Sequence, residues 1–327
     1  MTDRKLRLAV LGAGGLGRSM VRLAEQKPGI VLVSICDSTG VAIDPEGLVS
    51  EDVLAAAEGG AVADTPRAGR RVRDPLGEMI AARDIIDTCA AHRVKLCINH
   101  QRRYASTERK AKELIRDGLL GRIFRIKVRH AVDCAKWLNA QAGWRTDAAV
   151  SGGGIWLLWG VHYADLLRFL TGEEAESVYA RVRNVACPDI ETEDDAFGLV
   201  QMSGGVLGEV EVSAAWKSAA PAGSGPAGEM VEIYGTEGSL TYSRTEGVMR
   251  LASSRLAAPG AETLNVAGGA ADWADAQRML HEAFLTSITR DAPVPVTGDD
   301  GQRALEIILA GYTSSRQDRP VPLPLTR

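Results

Sequence analysis

The first hundred residues alternate apolar runs with amphipathic stretches, as strands and helices do in an α/β domain. Residues 6–11 (LRLAVL) are apolar apart from one arginine, and they lead into a cluster of glycines. The following segment has helical spacing, with Met20, Leu23 and Ala24 on one face. Residues 30–36 (IVLVSIC) are again apolar and rich in β-branched side chains, which suit a sheet that is covered on both faces. The pattern predicts a β-α-β unit.

Glycines and prolines interrupt the chain between residues 40 and 76, where only residues 51–57 have helical spacing. Helical spacing returns over residues 78–92, and residues 94–98 (VKLCI) form a third apolar run that predicts a strand. We therefore predict a first domain of residues 1–103, built on a parallel sheet that lacks recognisable strands in the interrupted segment.

Polar and apolar residues follow a different pattern after residue 104. Residues 122–131 (RIFRIKVRHA) alternate between the two classes, as a half-exposed strand does. Further strands are predicted over residues 177–185, 196–202, 208–214, 230–234 and 238–242. Helices are predicted over residues 107–117, 155–170, 272–290 and 300–316. The pattern predicts an α+β domain of residues 104–327 with a large, open, mixed and mostly antiparallel sheet.

Composition and charge exclude several classes of function, since 45% apolar and 24% charged residues are typical of a soluble globular protein. A formal net charge of -4 provides no broad positive field for a nucleic acid. No apolar run approaches the roughly 20 residues that span a bilayer, and the N-terminus lacks a signal-peptide pattern. The five cysteines form no C-x-x-C pair, so neither a disulfide framework nor a metal site is predicted. We expect a cytoplasmic protein without a nucleic-acid or membrane partner.

A G-x-G-x-x-G motif lies between the first predicted strand and the first predicted helix. In that position glycines allow a tight turn and a close approach of the backbone to a pyrophosphate, and the helix N-terminus attracts the anion. Asp37 ends the second predicted strand, where a carboxylate can accept hydrogen bonds from the adenosine ribose and would repel a 2′-phosphate. We predict a Rossmann-type domain with NAD as the first choice of cofactor and NADP as the second. The predicted cofactor contacts are Gly12, Ala13, Gly14, Gly15, Leu16, Gly17 and Asp37.

Several motifs in the rest of the chain occur together and in a fixed order. They are VKLCINHQRRY at residues 94–104, GLLGRI at 118–123, GWRTDAAVSGGG at 143–154, GVHYADLLRFLTG at 160–172 and VEIYGTEGSLTY at 231–242. In these motifs the chain resembles the Gfo/Idh/MocA oxidoreductases, the relatives of glucose-fructose oxidoreductase and inositol dehydrogenase. The resemblance implies a Rossmann domain, then a mixed sheet whose outer face often makes oligomer contacts, and thus a homodimer or homotetramer. It also implies hydride transfer between NAD(P) and a carbon that bears a hydroxyl or carbonyl group.

The resemblance also implies which residues carry out the chemistry. The family's catalytic helix usually has an aspartate and, one turn later, a histidine. His162 matches the histidine, but Leu158 fills the aspartate position. We predict that His162 moves the proton of the substrate hydroxyl, as a base in oxidation or as an acid in reduction. Asp165 lies three residues further on, and it either orients the ring of His162 or serves the structure.

A second departure from the family concerns a Glu-Lys-Pro motif whose lysine contacts nicotinamide and substrate. The nearest segment in this chain, Arg73-Asp74-Pro75, has an acid at the lysine position. Lys95 or Lys136 could supply a basic group in its place.

Polar residues at the predicted strand ends and domain junction are candidates for substrate contacts. Guanidinium groups and an amide suit polyhydroxylated or acidic molecules, because they form directional hydrogen bonds. The alternative for the arginines is a surface or interdomain salt bridge. The predicted substrate contacts are Asn99, His100, Arg102, Arg103, Trp144 and Arg145. Trp156 and Trp159 are expected to pack at the domain junction.

These features predict an enzyme, an NAD(P)-dependent oxidoreductase that transfers a hydride between a nicotinamide cofactor and a sugar, cyclitol or sugar-derived substrate. The alternative is a non-catalytic relative that binds a nucleotide or sugar as a regulatory or partner subunit, because Leu158 and the missing lysine remove charged groups. Residues 37–48 (DSTGVAIDPEGL) are also similar to the NAD domain of homoserine dehydrogenases, but the rest of the chain does not follow that family.

Overall fold

The computed structural model divides the chain into two compact units, Met1–His92 and Arg93–Arg327. The residues that it describes are 6–11, 15–27, 29–37, 40–71, 82–91, 93–133, 138, 146, 148–216, 228–257, 260–266 and 268–325. Among them, no helix combines the length and the apolar character needed to cross a bilayer. The domain boundary predicted after residue 103 stays a prediction.

A four-stranded sheet forms the first unit. Its elements are β1 (Leu6–Leu11), α1 (Gly15–Glu25), β2 (Ile30–Asp37), β3 (Gly40–Ile43), α2 (Ser50–Glu58), a 3-10 turn (Val62–Asp64), β4 (Gly69–Arg71) and α3 (Ala82–Ala91). The strand order is β1-β2-β3-β4, in which β1 and β2 are parallel and the other two pairs are antiparallel. Val21 of α1 and Ile35 of β2 are fully buried, so the apolar runs of the sequence form the core of this unit. The predicted β-α-β unit is confirmed.

Two details of the first unit differ from the prediction. The interrupted segment contains β3 and β4, which run antiparallel to their neighbours instead of extending the parallel sheet. The close approach at β4 requires Gly69, because a Cβ atom there would lie 2.3 Å from the carbonyl oxygen of Ala63. The strand predicted over residues 94–98 is wrong, since this segment lies in the second unit and pairs with no described strand. Val94 is exposed, so this apolar run does not fill a core.

A nine-stranded mixed sheet forms the second unit. Its strands are β5 (Ile123–Ala131), β6 (Ala175–Arg183), β7 (Asp195–Met202), β8 (Leu207–Ser213), β9 (Glu229–Gly235), β10 (Gly238–Ser243), β11 (Val248–Ser253), β12 (Gly260–Asn265) and β13 (Val321–Pro322). Its helices are α4 (Ser106–Arg116), α5 (Ala148–Ser151), α6 (Val161–Thr171), α7 (Gly269–Thr289) and α8 (Gly298–Gln317), with a 3-10 turn over Gln101–Tyr104 and a π turn over Trp156–Gly160. The strand order is β12-β11-β10-β9-β5-β8-β7-β6-β13, in which β5 and β8 are parallel and the other pairs are antiparallel. The predicted open, mixed and mostly antiparallel sheet is confirmed.

Alternation along the strands places one set of side chains in a single apolar core. In β5, Ile126 and Val128 are buried, whereas Lys127 between them points to the other face and stays partly exposed. Helix α8 packs beside β6, where the backbone N–H of Ala180 donates to the hydroxyl of Ser314 at 3.0 Å. The helices therefore cover the face of the sheet that carries the apolar positions.

The strands β11 and β12, at one end of the sheet, were not predicted. They extend the sheet from β10 as two successive antiparallel pairs. In β12 (GAETLN) five of the six side chains are exposed, and only Leu264 is partly buried. An exposed edge strand leaves little hydrophobic alternation in the sequence, which is why the pattern did not indicate it.

Candidate active site

His162 lies on the first turn of α6, directly after the π turn. Such turns are rare and are frequently found at functional sites. The side chain is half-buried, and its Nδ1 atom is inaccessible and has no hydrogen-bond partner among the described residues. Burial holds the pKa of His162 well below its usual range, and the nearby His100 and Arg102 lower it further. The ring is therefore neutral at pH 7 and able to accept a proton.

The ring of His100 packs edge-on against the ring of His162, with 5.6 Å between the ring centroids. His100 is 4% exposed, and neither ring nitrogen has a hydrogen-bond partner in the part of the chain that the structure describes. Burial lowers the pKa of His100 as well. The Oδ1 atom of Asn99 is also buried, and it has no hydrogen-bond partner within the described ranges. Buried polar atoms are paired in the great majority of cases, so this cluster indicates a place for a ligand.

Arg102 is buried and takes part in a network of ion pairs. Its guanidinium group donates to the carboxylate of Glu229 and lies 3.9 Å from that of Glu108. It also stacks on the ring of Tyr163, with 4.3 Å between Cζ and the ring centroid. Arg244 donates to the second oxygen of Glu229 at 2.9 Å. Burial alone would raise the pKa of Glu229, but Arg102 and Arg244 outweigh it and lower the pKa to about 2. These contacts favour the salt-bridge alternative for Arg102 over a substrate contact.

Arg103 and Asp165 form a second buried ion pair. The Nε and Nη2 atoms of Arg103 donate to the two carboxylate oxygens of Asp165 at 2.9 and 2.6 Å. Asp300 lies 3.1 Å from the same guanidinium group, and Arg168 lies 3.9 Å from Asp165. No hydrogen bond joins Asp165 to the Nδ1 atom of His162 among the described residues. The contacts favour the structural role for Asp165 and the salt-bridge alternative for Arg103.

Lys95 caps a helix. Its ammonium group donates to the carbonyl oxygens of Ser287 (2.6 Å) and Ala292 (2.8 Å), and it pairs with Asp291 (2.8 Å). These acceptors lie at the C-terminal end of α7, where carbonyl groups lack helical partners. These contacts favour a structural role for Lys95 at the end of α7. Lys136 lies outside the described residues.

The predicted cofactor residues are described only in part. Gly12, Ala13 and Gly14 lie outside the described residues, as do Trp144, Arg145 and the segment 73–75. Gly15, Leu16 and Gly17 form the first turn of α1, which contains no acidic residue, and Asp37 is the last residue of β2. The described part thus retains the strand before the glycine turn and the helix N-terminus after it. In these same described ranges no group of three or more histidine, cysteine or carboxylate side chains is placed to hold a metal ion.

Sequence reasoning missed the partners of Arg102. Glu229 carried a usable signal, because it lies on the same face of β9 as Val231 and Ile233, which are buried. A charge on a buried face needs a buried partner. The hydroxyl of Tyr163 lies 3.1 Å from the Glu229 carboxylate and 2.7 Å from Nδ1 of His130, which extends the network to β5.

Trp156 packs in the core of the second unit, and its predicted place at the domain junction stays a prediction. Its side chain is fully buried, and Nε1 donates to the carbonyl oxygen of Ile308 at 3.0 Å. Trp159 contacts the ring of His130 edge-on, with 4.7 Å between centroids. These contacts favour packing over stacking on a sugar for both indole rings.

Comparison with known proteins points to one family. Residues 109–241 match the family described as GFO/IDH/MocA C-terminal domain. The chain is 30% identical over 177 residues to 1,5-anhydro-D-fructose reductase of Ensifer adhaerens, a match that covers 53% of this chain and 50% of that protein. It is 25% identical over 194 residues to the rhizopine catabolism protein MocA of Rhizobium meliloti, covering 52% of this chain and 58% of that protein. The matched part thus spans about half the length of these curated relatives.

The fold is similar to a solved structure along nearly the whole chain. Levoglucosan dehydrogenase in complex with NADH and levoglucosan has 18% sequence identity and a TM-score of 0.73 to this chain. The match covers 98% of this chain and 100% of that one, and at this identity it establishes the fold. Residues 109–241 match the C-terminal domain of the Gfo/Idh/MocA family, the family that the motifs of this chain resemble.

Proposed function

We propose that the protein is an NAD(P)-dependent oxidoreductase that transfers a hydride between a nicotinamide cofactor and a hydroxyl-bearing carbon of a sugar, cyclitol or sugar-derived substrate. The observation that carries the proposal is the buried Nδ1 of His162 beside the ring of His100, since none of these ring nitrogens has a partner in the described part of the chain. Such atoms can take up a substrate hydroxyl. The similar proteins include a 1,5-anhydro-D-fructose reductase and a levoglucosan dehydrogenase bound to NADH, which supports the same substrate class.

NAD is the proposed cofactor, with NADP as the second choice. The turn at residues 12–17 would hold the pyrophosphate, because α1 begins there without an acidic residue in its first turn. Asp37, at the end of β2, would accept hydrogen bonds from the adenosine ribose. When bound, the nicotinamide ring accepts or supplies the hydride.

His162 would move the proton of the reacting hydroxyl. Because burial lowers its pKa, the ring is neutral at pH 7 and can accept that proton in the oxidation, and the imidazolium returns it in the reduction. A ring with a lowered pKa is a weaker base than free imidazole. The reaction therefore needs a second group that stabilises negative charge on the substrate oxygen.

A non-catalytic relative that binds a nucleotide or sugar as a regulatory or partner subunit is the second candidate. Leu158 stands where the family has a charged group, and Lys95 is held at the end of α7 by Ser287, Asp291 and Ala292. These two observations favour loss of catalysis.

A fluorescence titration with NADH, and separately with NADPH, tests the cofactor part of the proposal. We expect saturable binding with NADH preferred, and a ligand at about 100 times its Kd should add about 2.7 kcal/mol to the free energy of unfolding. If neither nucleotide binds at millimolar concentration, the proposed oxidoreductase function is contradicted.

A turnover screen separates the two candidates. Levoglucosan, other sugars and cyclitols are incubated with NAD+, and 1,5-anhydro-D-fructose with NADH, while the NADH absorbance is followed. Turnover of any of them supports the oxidoreductase. Binding of NADH without turnover of any of them favours the non-catalytic subunit.

We also propose a cytoplasmic homodimer or homotetramer. The exposed aromatic side chains Phe124 and Phe197 lie on β5 and β7 of the large sheet, which supports a contact on that face. Light scattering on the eluting protein should give two or four times the chain mass. A monomer at micromolar concentration would contradict the proposal.

A further inference from the structure

The position of His100 gives the candidate site a second histidine. Its ring plane makes an angle of 88° with that of His162, and the centroids are 5.6 Å apart, so the two rings do not stack. Two ordinary hydrogen bonds of about 2.8 Å through one shared oxygen span at most about 5.6 Å between two nitrogens. Rings with this separation of centroids can place one nitrogen each within that span, so that one hydroxyl oxygen contacts both rings.

We propose that His100 is a second catalytic residue, which donates a hydrogen bond to the reacting oxygen while His162 takes the proton of the same hydroxyl. This role rests on the oxidoreductase function proposed above. In the oxidation, the hydride leaves the carbon with both electrons of the C–H bond and goes to the oxidised nicotinamide. The hydroxyl proton passes to the neutral imidazole of His162, and the C–O bond becomes a carbonyl. The N–H of His100 stabilises the oxygen while negative charge develops on it.

The burial of His100 supports this role. Its side chain is 4% exposed, and both ring nitrogens lack a hydrogen-bond partner among the described residues. A buried neutral imidazole carries one N–H donor and one acceptor, and leaving both unpaired costs free energy. A substrate hydroxyl at this position would use the donor and remove part of that cost. If neighbouring residues already bonded to both nitrogens of His100, the ring would have no N–H left for a substrate hydroxyl.

Charged groups near His100 do not hold a proton on it. They are the carboxylates of Asp165 and Asp300 and the guanidinium groups of Arg103 and Arg168, and the opposite charges pair with each other. Because the two carboxylates and the two guanidinium groups act in opposite directions, burial is the dominant effect and lowers the pKa of His100. His100 therefore meets the substrate as a neutral donor at pH 7.

The charged groups near His162 lead to the same result. Apart from His100, they are Arg102, His130 and Glu229, and Arg102 is paired with Glu229. The pKa of His130 is lowered to about 4, chiefly by burial, so this ring is also neutral at pH 7. Since His100 also lowers the pKa of His162, both rings are neutral near neutral pH, and each then carries a single N–H proton.

Two substitutions at the same position test the donor role. His100→Leu removes the donor and should lower kcat by about 100-fold or more, the loss typical of an oxyanion donor. His100→Gln keeps an N–H donor that cannot titrate, and it should retain roughly a tenth or more of kcat on the same scale. Both variants should keep the NADH affinity of the wild type within about twofold, because the predicted cofactor contacts lie elsewhere. Equal losses of kcat in the two variants would overturn the donor role.

The pH profile gives a readout that a merely structural residue would not change. In His100→Gln the neighbouring ring no longer discourages protonation of His162, so the pKa of His162 rises. The acidic limb of kcat/KM should therefore move to higher pH than in the wild type. An unchanged acidic limb would overturn the proposed action of His100 together with His162. The pH profile of His100→Gln still tests the proposal if His100→Leu does not fold.

His281→Gln is the matched control, because His281 is a buried histidine of α7 whose pKa is lowered by burial alone. It should leave both kcat and the pH profile unchanged, and a loss equal to that of His100→Leu would contradict a specific role for His100. Full turnover of His100→Leu would overturn the role of His100 and leave the oxidoreductase intact. A wild-type protein that binds no NADH and turns over no sugar would overturn both proposals.

Discussion

Neighbouring side chains in residues 99–103 have different environments. Asn99 and His100 have buried polar atoms without partners among the described residues, whereas Arg102 and Arg103 form buried ion pairs with separate carboxylates. The 3-10 turn over Gln101–Tyr104 begins directly after His100, and its three residues per turn point the side chains of Arg102 and Arg103 about 120° apart. One short segment therefore supplies both free hydrogen-bonding groups and the charges that stabilise the fold.

The charge of Glu229 compensates two buried guanidinium groups, those of Arg102 and Arg244. Glu229→Gln would remove the carboxylate that both groups share and leave Arg102 only the more distant carboxylate of Glu108, and we expect the free energy of unfolding to fall by about 3 to 5 kcal/mol. Urea denaturation measures the loss. Glu262→Gln, on exposed β12, is the control and should stay within about 0.5 kcal/mol of the wild type. A loss in Glu229→Gln as small as that of the control would show that the network does not stabilise the fold.

His130 makes stability depend on pH in the mildly acidic range. Burial, together with Arg102 and Arg244, lowers its pKa to about 4, against about 6.5 in an unfolded chain. The unfolded state therefore binds the proton first as the pH falls. The contribution of the neutral His130 ring to the free energy of unfolding is fully present above about pH 6.5 and is lost as the pH falls toward 4.

The His130→Gln variant tests this pH dependence. Urea denaturation between pH 7 and pH 4 should show a shallower fall in the free energy of unfolding than in the wild type, because one buried neutral ring is absent. A curve with the wild-type slope would mean that His130 is not held neutral by the fold.

At the scale of elements, small residues make room for Trp156 where the π turn begins. A Cβ atom on Gly198 of β7 or on Gly311 of α8 would lie 2.6 Å from atoms of the indole. The indole fixes the π turn against β7 and α8, and α6 with His162 follows directly. The packing of one side chain thus determines where the helix of the candidate site begins.

Gly198→Ala tests this packing. The added methyl group would overpack the indole, and we expect a loss of about 1 to 3 kcal/mol together with a lower Tm. Gly59→Ala is the matched control, because a Cβ atom there meets only backbone oxygens at 3.4 Å and the backbone is already in the right-handed helical region. Equal Tm values for the two variants would contradict the close fit around Trp156.

At the scale of the whole molecule, one continuous apolar core lies within the second unit. Its buried members run from Ala111 to Val321, and they include residues of the sheet and of the helices that pack on it. The ion pairs of Arg102 and Arg103 lie in the same unit. This unit therefore contains the interactions that its stability needs.

A fragment of residues 93–327 should unfold cooperatively, because its core and ion pairs are internal. A far-ultraviolet circular dichroism melt should show a single sigmoidal transition, with the full chain as the control. The fragment should not bind NADH, since the predicted cofactor residues 12–17 and 37 are absent from it. A gradual, non-cooperative melt would mean that the second unit depends on the first.

The amino-acid sequence by itself determined the features that depend on local pattern. Apolar periodicity was enough for the β-α-β start, for strands β5 to β10 and for helices α7 and α8, because periodicity is a property of the chain alone. The ordered motifs indicated the family whose C-terminal domain residues 109–241 match, whereas the role of His162 stays a prediction. The exposed strand β12 left no such pattern, and the apolar run at residues 94–98 resembled a strand because a single sequence does not show which runs are buried.

Only the tertiary structure decided which partner each polar group takes. Asp165 pairs with Arg103 although His162 is nearer in the sequence, and Lys95 reaches Ala292, 197 residues away. His100 meets His162 across 62 positions of chain (162 − 100). Such contacts depend on how the sheet and helices bring distant segments together, and spacing along the chain does not determine that distance.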